Sequence, residues 1–277
     1  MRHDLGTCAT STRGHDWIKV DTWKPQQYDK FEAERRLPFD ELLAMCTPTP
    51  AGLAYDLGCG TGSTTADIPT ALETRMVIGS DTSQAMLDKA GEFSNDRLRF
   101  EIGNLAKFNP SEDPDVIISN AALHWVSDHA TVLASWRSHL HSGDQLAVQV
   151  PANSDHPSQQ IAADVASNHA DWFDANTPPP LISTNSLTAE RYAEVLYDLG
   201  AVQQKVMLRV YPHVLDTTLD VVQWMKGTTL NAYRAALIDE SNYDQLVAEI
   251  EEQTLDHFGL REPFFYTFKR ILFWAQF

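Results

Sequence analysis

The segment Tyr55-Asp56-Leu57-Gly58-Cys59-Gly60-Thr61-Gly62 constrains this chain more than any other stretch. The apolar run Leu53 to Leu57 has the length of a buried strand and ends directly in three glycines at alternate positions. Glycine adopts positive φ without penalty and carries no Cβ to hold a ligand away. A strand running into such a loop therefore builds a cradle at its carboxyl end, where sheets of this type bind ligands. The spacing is G-x-G-x-G, and Ser63 stands where a G-x-G-x-x-G fingerprint would place its third glycine.

The rest of the chain fits an α/β reading. Strand-length apolar runs recur at Met76 to Gly79, Leu98 to Ile102, Val116 to Ser119 and Gln145 to Val150, with helical stretches such as Ser83 to Phe93 and Thr131 to Leu140 between them. This alternation predicts a doubly wound, mostly parallel sheet. Amphipathic helices are expected from Lys24 to Met45, and residues 1–22 read as an arm without the apolar core of a signal peptide. Beyond Pro151 a polar helical segment to Asn176 leads into the Thr177 to Pro180 break, and Ala189 to Leu199 reads as another helix. Val206 to Val210 and Phe268 to Ala275 alternate like strands, an antiparallel pair enclosing a helical insert, Leu219 to Phe258, expected to cover the sheet edge. The division that follows is an arm with lid helices over 1–50, a ligand-binding core over 51–150, and cap segments with the last strands over 151–277.

Composition narrows the function. The 277 residues carry 21 Lys plus Arg against 38 Asp plus Glu, a formal charge of -17 that repels nucleic-acid phosphates and anionic membrane surfaces. Hydrophobic residues at 43% supply a sizeable core, and no apolar run reaches the ~18 residues of a spanning helix. Cys8, Cys46 and Cys59 lack paired spacing, which points to a reducing, cytoplasmic setting without a disulfide framework or a zinc site. His139 and His141 near Asp144 lie at the end of a predicted helix, where basic residues are favoured, so no metal is expected. Small molecules remain as ligands; the sequence leaves monomer or homodimer open.

Asp81 ends the second strand in VIGSD, where a carboxylate can accept both hydroxyls of a ribose. With Asp56 opening D-x-G-x-G-x-G, the order and spacing resemble class I S-adenosylmethionine-dependent methyltransferases. The resemblance implies a seven-stranded Rossmann-like sheet and S-adenosyl-L-methionine as cofactor. It implies that Asp56 orients the loop, and that Gly58, Cys59 and Gly60 cradle the methionine end. Asp81 would hold the ribose with Thr82 and Met86 beside it, and Asn104 and Leu105 would border the adenine.

The segments QQYDKFEAERRLP, SDTSQAMLDKA, SNAALHWVSDH, LAVQVPANSDHPS and VVQWMKGTTL are similar to the trans-aconitate 2-methyltransferase family, and they span most of the chain. That likeness implies an enzyme methylating a carboxylate of a small polycarboxylic acid. Tyr28 and Phe31 would then lie by the methionine moiety, Arg35 at the substrate mouth, and Asn120 and Ala121 beside the sulfonium. His124 and Trp125 would face the acceptor, with Trp224, Lys226 and Tyr233 contributed by the cap. Three positions depart from the family's pattern: Arg36 stands one place early, His124 replaces a glutamine, and Asn231 replaces an arginine.

A carboxylate acceptor is already an anion near neutral pH and needs no general base, only alignment of oxygen, methyl carbon and sulfur. Arg35 is the cation expected to fix it. For a phenol, hydroxyl or amine acceptor, His124 has the right chemistry for a base, or it simply lines the site. Arg35 and Arg36 also suit a solvated helix face, and Trp125, Trp224 and Tyr233 suit plain packing. A non-catalytic protein that holds the cofactor is the reading from another class.

Overall fold

The computed structural model describes residues 32–173 and 185–277, with side chains from residue 36 onward. Seven strands form one sheet in the order β3-β2-β1-β4-β5-β7-β6. They are β1 (Leu53–Leu57), β2 (Met76–Asp81), β3 (Leu98–Ile102), β4 (Val116–Asn120), β5 (Gln145–Pro151), β6 (Gln203–Leu215) and β7 (Phe264–Gln276). The first five are parallel, and β7 runs antiparallel to both β5 and β6. The winding moves outward from β1 to β3 and then returns to β4, so a crevice opens between β1 and β4 at their carboxyl ends.

Helices α1 (Glu32–Leu43), α2 (Ile68–Ala71), α3 (Gln84–Ala90), α4 (His129–Arg137), α5 (Pro157–Asn168) and α6 (Ala189–Asp198) flank or extend the sheet. On one face Phe39 and Leu42 of α1, with Ile68 of α2, bury Ala54, Val116, Ile118, Ala147, Leu272 and Trp274. On the other, Leu133 and Trp136 of α4 and Tyr192 and Leu196 of α6 bury Tyr55, Ile117, Val148 and Phe273. Strand alternation thus puts Asp56, Asn120, Gln149 and Arg270 on the α1 face, at the crevice end. Gln145 ties the layers: it accepts from the Thr47 amide at 2.8 Å and from the Trp274 indole at 2.9 Å, while its own amide donates to the Thr47 carbonyl.

The parallel strands fall where the apolar runs place them. The last two strands are longer than the alternation alone suggests, because Pro212 and His213 interrupt the pattern in a hairpin edge that tolerates them. The insert between β6 and β7 comprises α7 (Asp220–Lys226), α8 (Thr229–Ala236) and α9 (Asn242–Phe258). It does not cover the sheet edge. Val222, Met225, Leu230, Tyr233, Leu246 and Ile250 pack with Ala162 and Val165 of α5, and Trp224 packs on the far ends of the hairpin. Leu208, Val210 and Val214 of edge strand β6 remain exposed. The insert leaves the end of the hairpin, so its apolar stripe meets α5 before it can reach β6.

Candidate functional site

The loop after β1 is held by backbone geometry. Gly58, Gly60 and Gly62 have φ of 81°, 56° and 75°, the left-handed region that glycine favours. The amides of Gly58 and Cys59 donate to the Ser80 carbonyl at 2.8 and 3.0 Å, which docks the loop on β2. A Cβ on Gly62 would meet Phe100 and Ala90 within 3 Å, whereas one on Gly60 would meet nothing within 4 Å. Gly60 is the point where the backbone lies open to a ligand.

Asp81 closes the loop from the next strand. One carboxylate oxygen accepts from the Gly60 amide at 3.0 Å and the other from the Ser83 amide at 2.9 Å, while the Ser83 hydroxyl accepts from the Met86 amide at 3.2 Å. Thr82 is exposed beside it, and Met86 is buried on α3. Asp56 lies beneath the loop, with one oxygen accepting from the Thr65 hydroxyl at 2.6 Å and the other buried without a partner. Burial, with a smaller push from the Asp81 charge, raises its carboxyl to about 7. Cys59 is a free, buried thiol whose pKa burial also raises.

Asn104 follows β3 and accepts from the Ala106 amide at 2.9 Å, capping the turn Leu105–Lys107. The Leu105 carbonyl in turn accepts from the Trp136 indole at 2.7 Å. After β4, Asn120 presents a buried side-chain oxygen without a partner, and Ala121 takes φ of 52°, unusual for a residue with a side chain. The Ala121 amide donates to the Gln149 carbonyl at 2.9 Å, fixing this loop to β5.

His124 follows in the turn Leu123–Trp125, buried, its ring 4.8 Å from that of Trp125 and its Nδ1 without a partner. Burial, then the neighbouring His129 and Arg270, lower its pKa to about 3, so the ring is neutral across the physiological range. The structure therefore brings Asp56, the glycine loop, Asp81, Asn104, Leu105, Asn120, Ala121, His124 and Trp125 to one end of the sheet. Trp224 is one ring removed, packed on Phe268 at 5.6 Å. Tyr233 lies in the cap's own core, buried against Phe173, and Lys226 pairs with Glu251 at 3.0 Å, so neither is brought to the loops. Tyr28 and Phe31 lie outside the described residues, as does the side chain of Arg35. Arg36 donates to Asp67 at 2.6 Å on the surface.

Two residues the sequence reading passes over stand at the same end. Gln149 is fully buried on β5, and Arg270 on β7 is 5% exposed with its guanidinium 4.7 Å above the Phe268 ring. Their signal is a polar residue inside an apolar run, in LAVQVP and FKRILF, of strands buried on both faces.

A methyltransferase-domain family model matches residues 54–143. A trans-aconitate 2-methyltransferase of Deinococcus radiodurans is 37% identical over 256 residues, covering 92% of this chain and 98% of that one. The chain belongs to the trans-aconitate 2-methyltransferase family. Two solved structures share its fold. YcgJ of Bacillus subtilis aligns with a TM-score of 0.58 at 14% identity, covering 86% of this chain and 97% of that one. A geranyl diphosphate methyltransferase in complex with S-adenosylmethionine aligns with a TM-score of 0.54 at 13% identity, covering 93% and 91%.

As a member of this family the chain is an S-adenosylmethionine-dependent methyltransferase. The donor set fits that cofactor: a glycine at open backbone, an acid at the end of β2, and buried oxygens of Asp56 and Asn120 still able to accept hydrogen bonds. Among the described residues no group of His, Cys, Asp and Glu could hold a metal ion, and no helix is long and apolar enough to cross a membrane.

Proposed function

We propose that this methyltransferase transfers a methyl group to a carboxylate oxygen of a small polycarboxylic acid, with trans-aconitate as the leading substrate. The observation that carries the reading is the state of His124. A ring held near pKa 3 is too weak a base to help a phenol, hydroxyl or amine lose its proton near neutral pH, because base strength tracks pKa. A carboxylate needs no such help. Arg270 places a buried guanidinium at this end of the sheet although the chain's overall charge is -17. The name carried by the Deinococcus radiodurans relative agrees.

S-adenosylmethionine supplies an electrophilic methyl on a sulfonium. Asp81 would accept its ribose hydroxyls, with Thr82 and Met86 alongside, and Asn104 and Leu105 would border the adenine. Gly58 to Gly60 would give the methionine end close backbone approach, with Tyr28 and Phe31 closing over it. Asp56, Asn120 and Ala121 would flank the sulfonium side. Arg35, His124 and Trp125 would shape the acceptor site, in which one carboxylate oxygen forms its bond to carbon as the bond from carbon to sulfur breaks. Orientation of that oxygen is the enzyme's main task. The charge of -17 supports a small-molecule acceptor over nucleic acid, and the free thiols of Cys46 and Cys59 support a reducing, cytoplasmic setting.

The test is release of S-adenosylhomocysteine across di- and tricarboxylates, phenols and amines. Turnover confined to acids is expected; turnover confined to phenols or amines would contradict the reading.

A further inference from the structure

Asn120, the last residue of β4, and Gln149 on β5 are register partners, so their side chains are neighbours on the α1 face at the end of the sheet that carries the glycine loop. One offers an amide oxygen and the other an amide N–H, yet they do not pair. Oδ1 of Asn120 and Nε2 of Gln149 are each buried without a hydrogen-bond partner. The orientation of the Gln149 amide is fixed by its other end, because Oε1 meets Nη1 of Arg270, a group that only donates, at 3.3 Å. The backbone carbonyl of Gln149 accepts from the Ala121 amide at 2.9 Å, which ties this residue to the positive-φ turn leading into His124. Burying an N–H without an acceptor is unfavourable, and such a donor at a binding crevice asks for a ligand to complete it. The unpartnered amide and carboxyl atoms here sort by polarity. Oδ1 of Asp56 and Oδ1 of Asn120 are oxygens suited to the donors and positive charge of the cofactor, whereas Nε2 of Gln149 offers hydrogen and suits an anion.

We propose that Nε2 of Gln149 donates to one oxygen of the acceptor carboxylate that is methylated, and so turns the other oxygen toward the sulfonium beside Asn120. That second oxygen forms its bond to the methyl carbon as the carbon–sulfur bond breaks and leaves its electron pair on sulfur. A neutral amide suits this position. It orients the carboxylate while drawing off less of its charge than a cationic donor would, since hydrogen bonds from ionised donors are the stronger ones. This inference rests on the carboxyl-methylation reading above and deepens it by naming the side chain that presents the reacting group.

The test measures kcat and KM for trans-aconitate in the wild type, Gln149→Met and Gln149→Glu, with S-adenosylhomocysteine affinity by calorimetry and the thermal transition of each. Gln149→Met removes the donor and should lower kcat/KM roughly 10- to 100-fold, the range for a hydrogen bond to a charged group. Gln149→Glu separates the two ends of the side chain. Its isosteric carboxylate still accepts from Arg270, yet it turns an anion on the acceptor, so it should fold as the wild type does and lose more kcat/KM than Gln149→Met. Both should bind S-adenosylhomocysteine as the wild type does. Wild-type kcat/KM in Gln149→Glu would overturn the inference, because the residue would then serve Arg270 alone. A matching loss of S-adenosylhomocysteine affinity would overturn it by assigning Gln149 to the cofactor, and loss of the thermal transition in both variants would overturn it by assigning Gln149 to the fold. Each of these results leaves wild-type turnover of acids in place. Absence of wild-type turnover on every acid would instead overturn the carboxyl-methylation reading, and this inference with it.

Discussion

A Cβ placed on Gly58 would come within 2.2 Å of the Cβ of Ala122. The loop after β1 and the loop after β4 are therefore pressed together at the switch point, and a change in either moves the other. Gly58→Ala adds a left-handed strain of about 1 kcal/mol to that clash. Its melting temperature should fall by several degrees and its cofactor affinity with it. Gly60→Ala meets open space, so it should melt within a few degrees of the wild type yet bind cofactor poorly. Equal losses of stability in the two variants would contradict this distinction.

Asp81 already holds two backbone amides, and its replacement by alanine frees both. Calorimetry should show S-adenosylmethionine binding weakened by about 1 to 3 kcal/mol. Unchanged affinity would remove Asp81 from the cofactor site.

Asp56 titrates against the fold. Its folded-state pKa near 7 lies above the ordinary carboxylate value of 3.8, so the native state holds this proton more tightly than the unfolded chain. The resulting stability is fully present below pH 4 and is lost as pH rises to about 7. Asp56→Asn abolishes this titration. Denaturant melts of the cofactor-free protein at pH 5 and pH 8 should show the variant losing less stability over that interval, by up to ~2.7 kcal/mol. Parallel pH dependence in the two proteins would refute it.

How much of this was legible in the sequence follows the range of each interaction. The glycine loop and Asp81 act through neighbours in the chain or on an adjacent strand, and their residue types announced them. The pairing of Gln149 with Arg270 depends on the β5–β7 register, which joins Pro151 to a residue more than 100 places later, and no local pattern encodes that. The cap misled for the same reason. The apolar stripe of α7 to α9 was visible, but only the fold shows that it meets α5 instead of β6. Tyr233 and Lys226, grouped with the acceptor by motif, are occupied by the cap's core and by Glu251.

His124 offers a kinetic check. A ring with pKa near 3 stays neutral from pH 5 to 8, so kcat/KM for an acid acceptor should show no inflection near 6.5 from this residue. His124→Gln should retain activity within about tenfold. A far larger loss that rising pH rescues would restore His124 as a base and favour a less acidic acceptor.

Incubation of the full chain with S-adenosylmethionine and trans-aconitate is the decisive experiment for carboxyl methylation. Product mass and ester-specific hydrolysis would be followed alongside S-adenosylhomocysteine. A methyl ester formed in step with S-adenosylhomocysteine is expected. Turnover that yields a methylated phenol, alcohol or amine while trans-aconitate and related acids stay unmodified would contradict it.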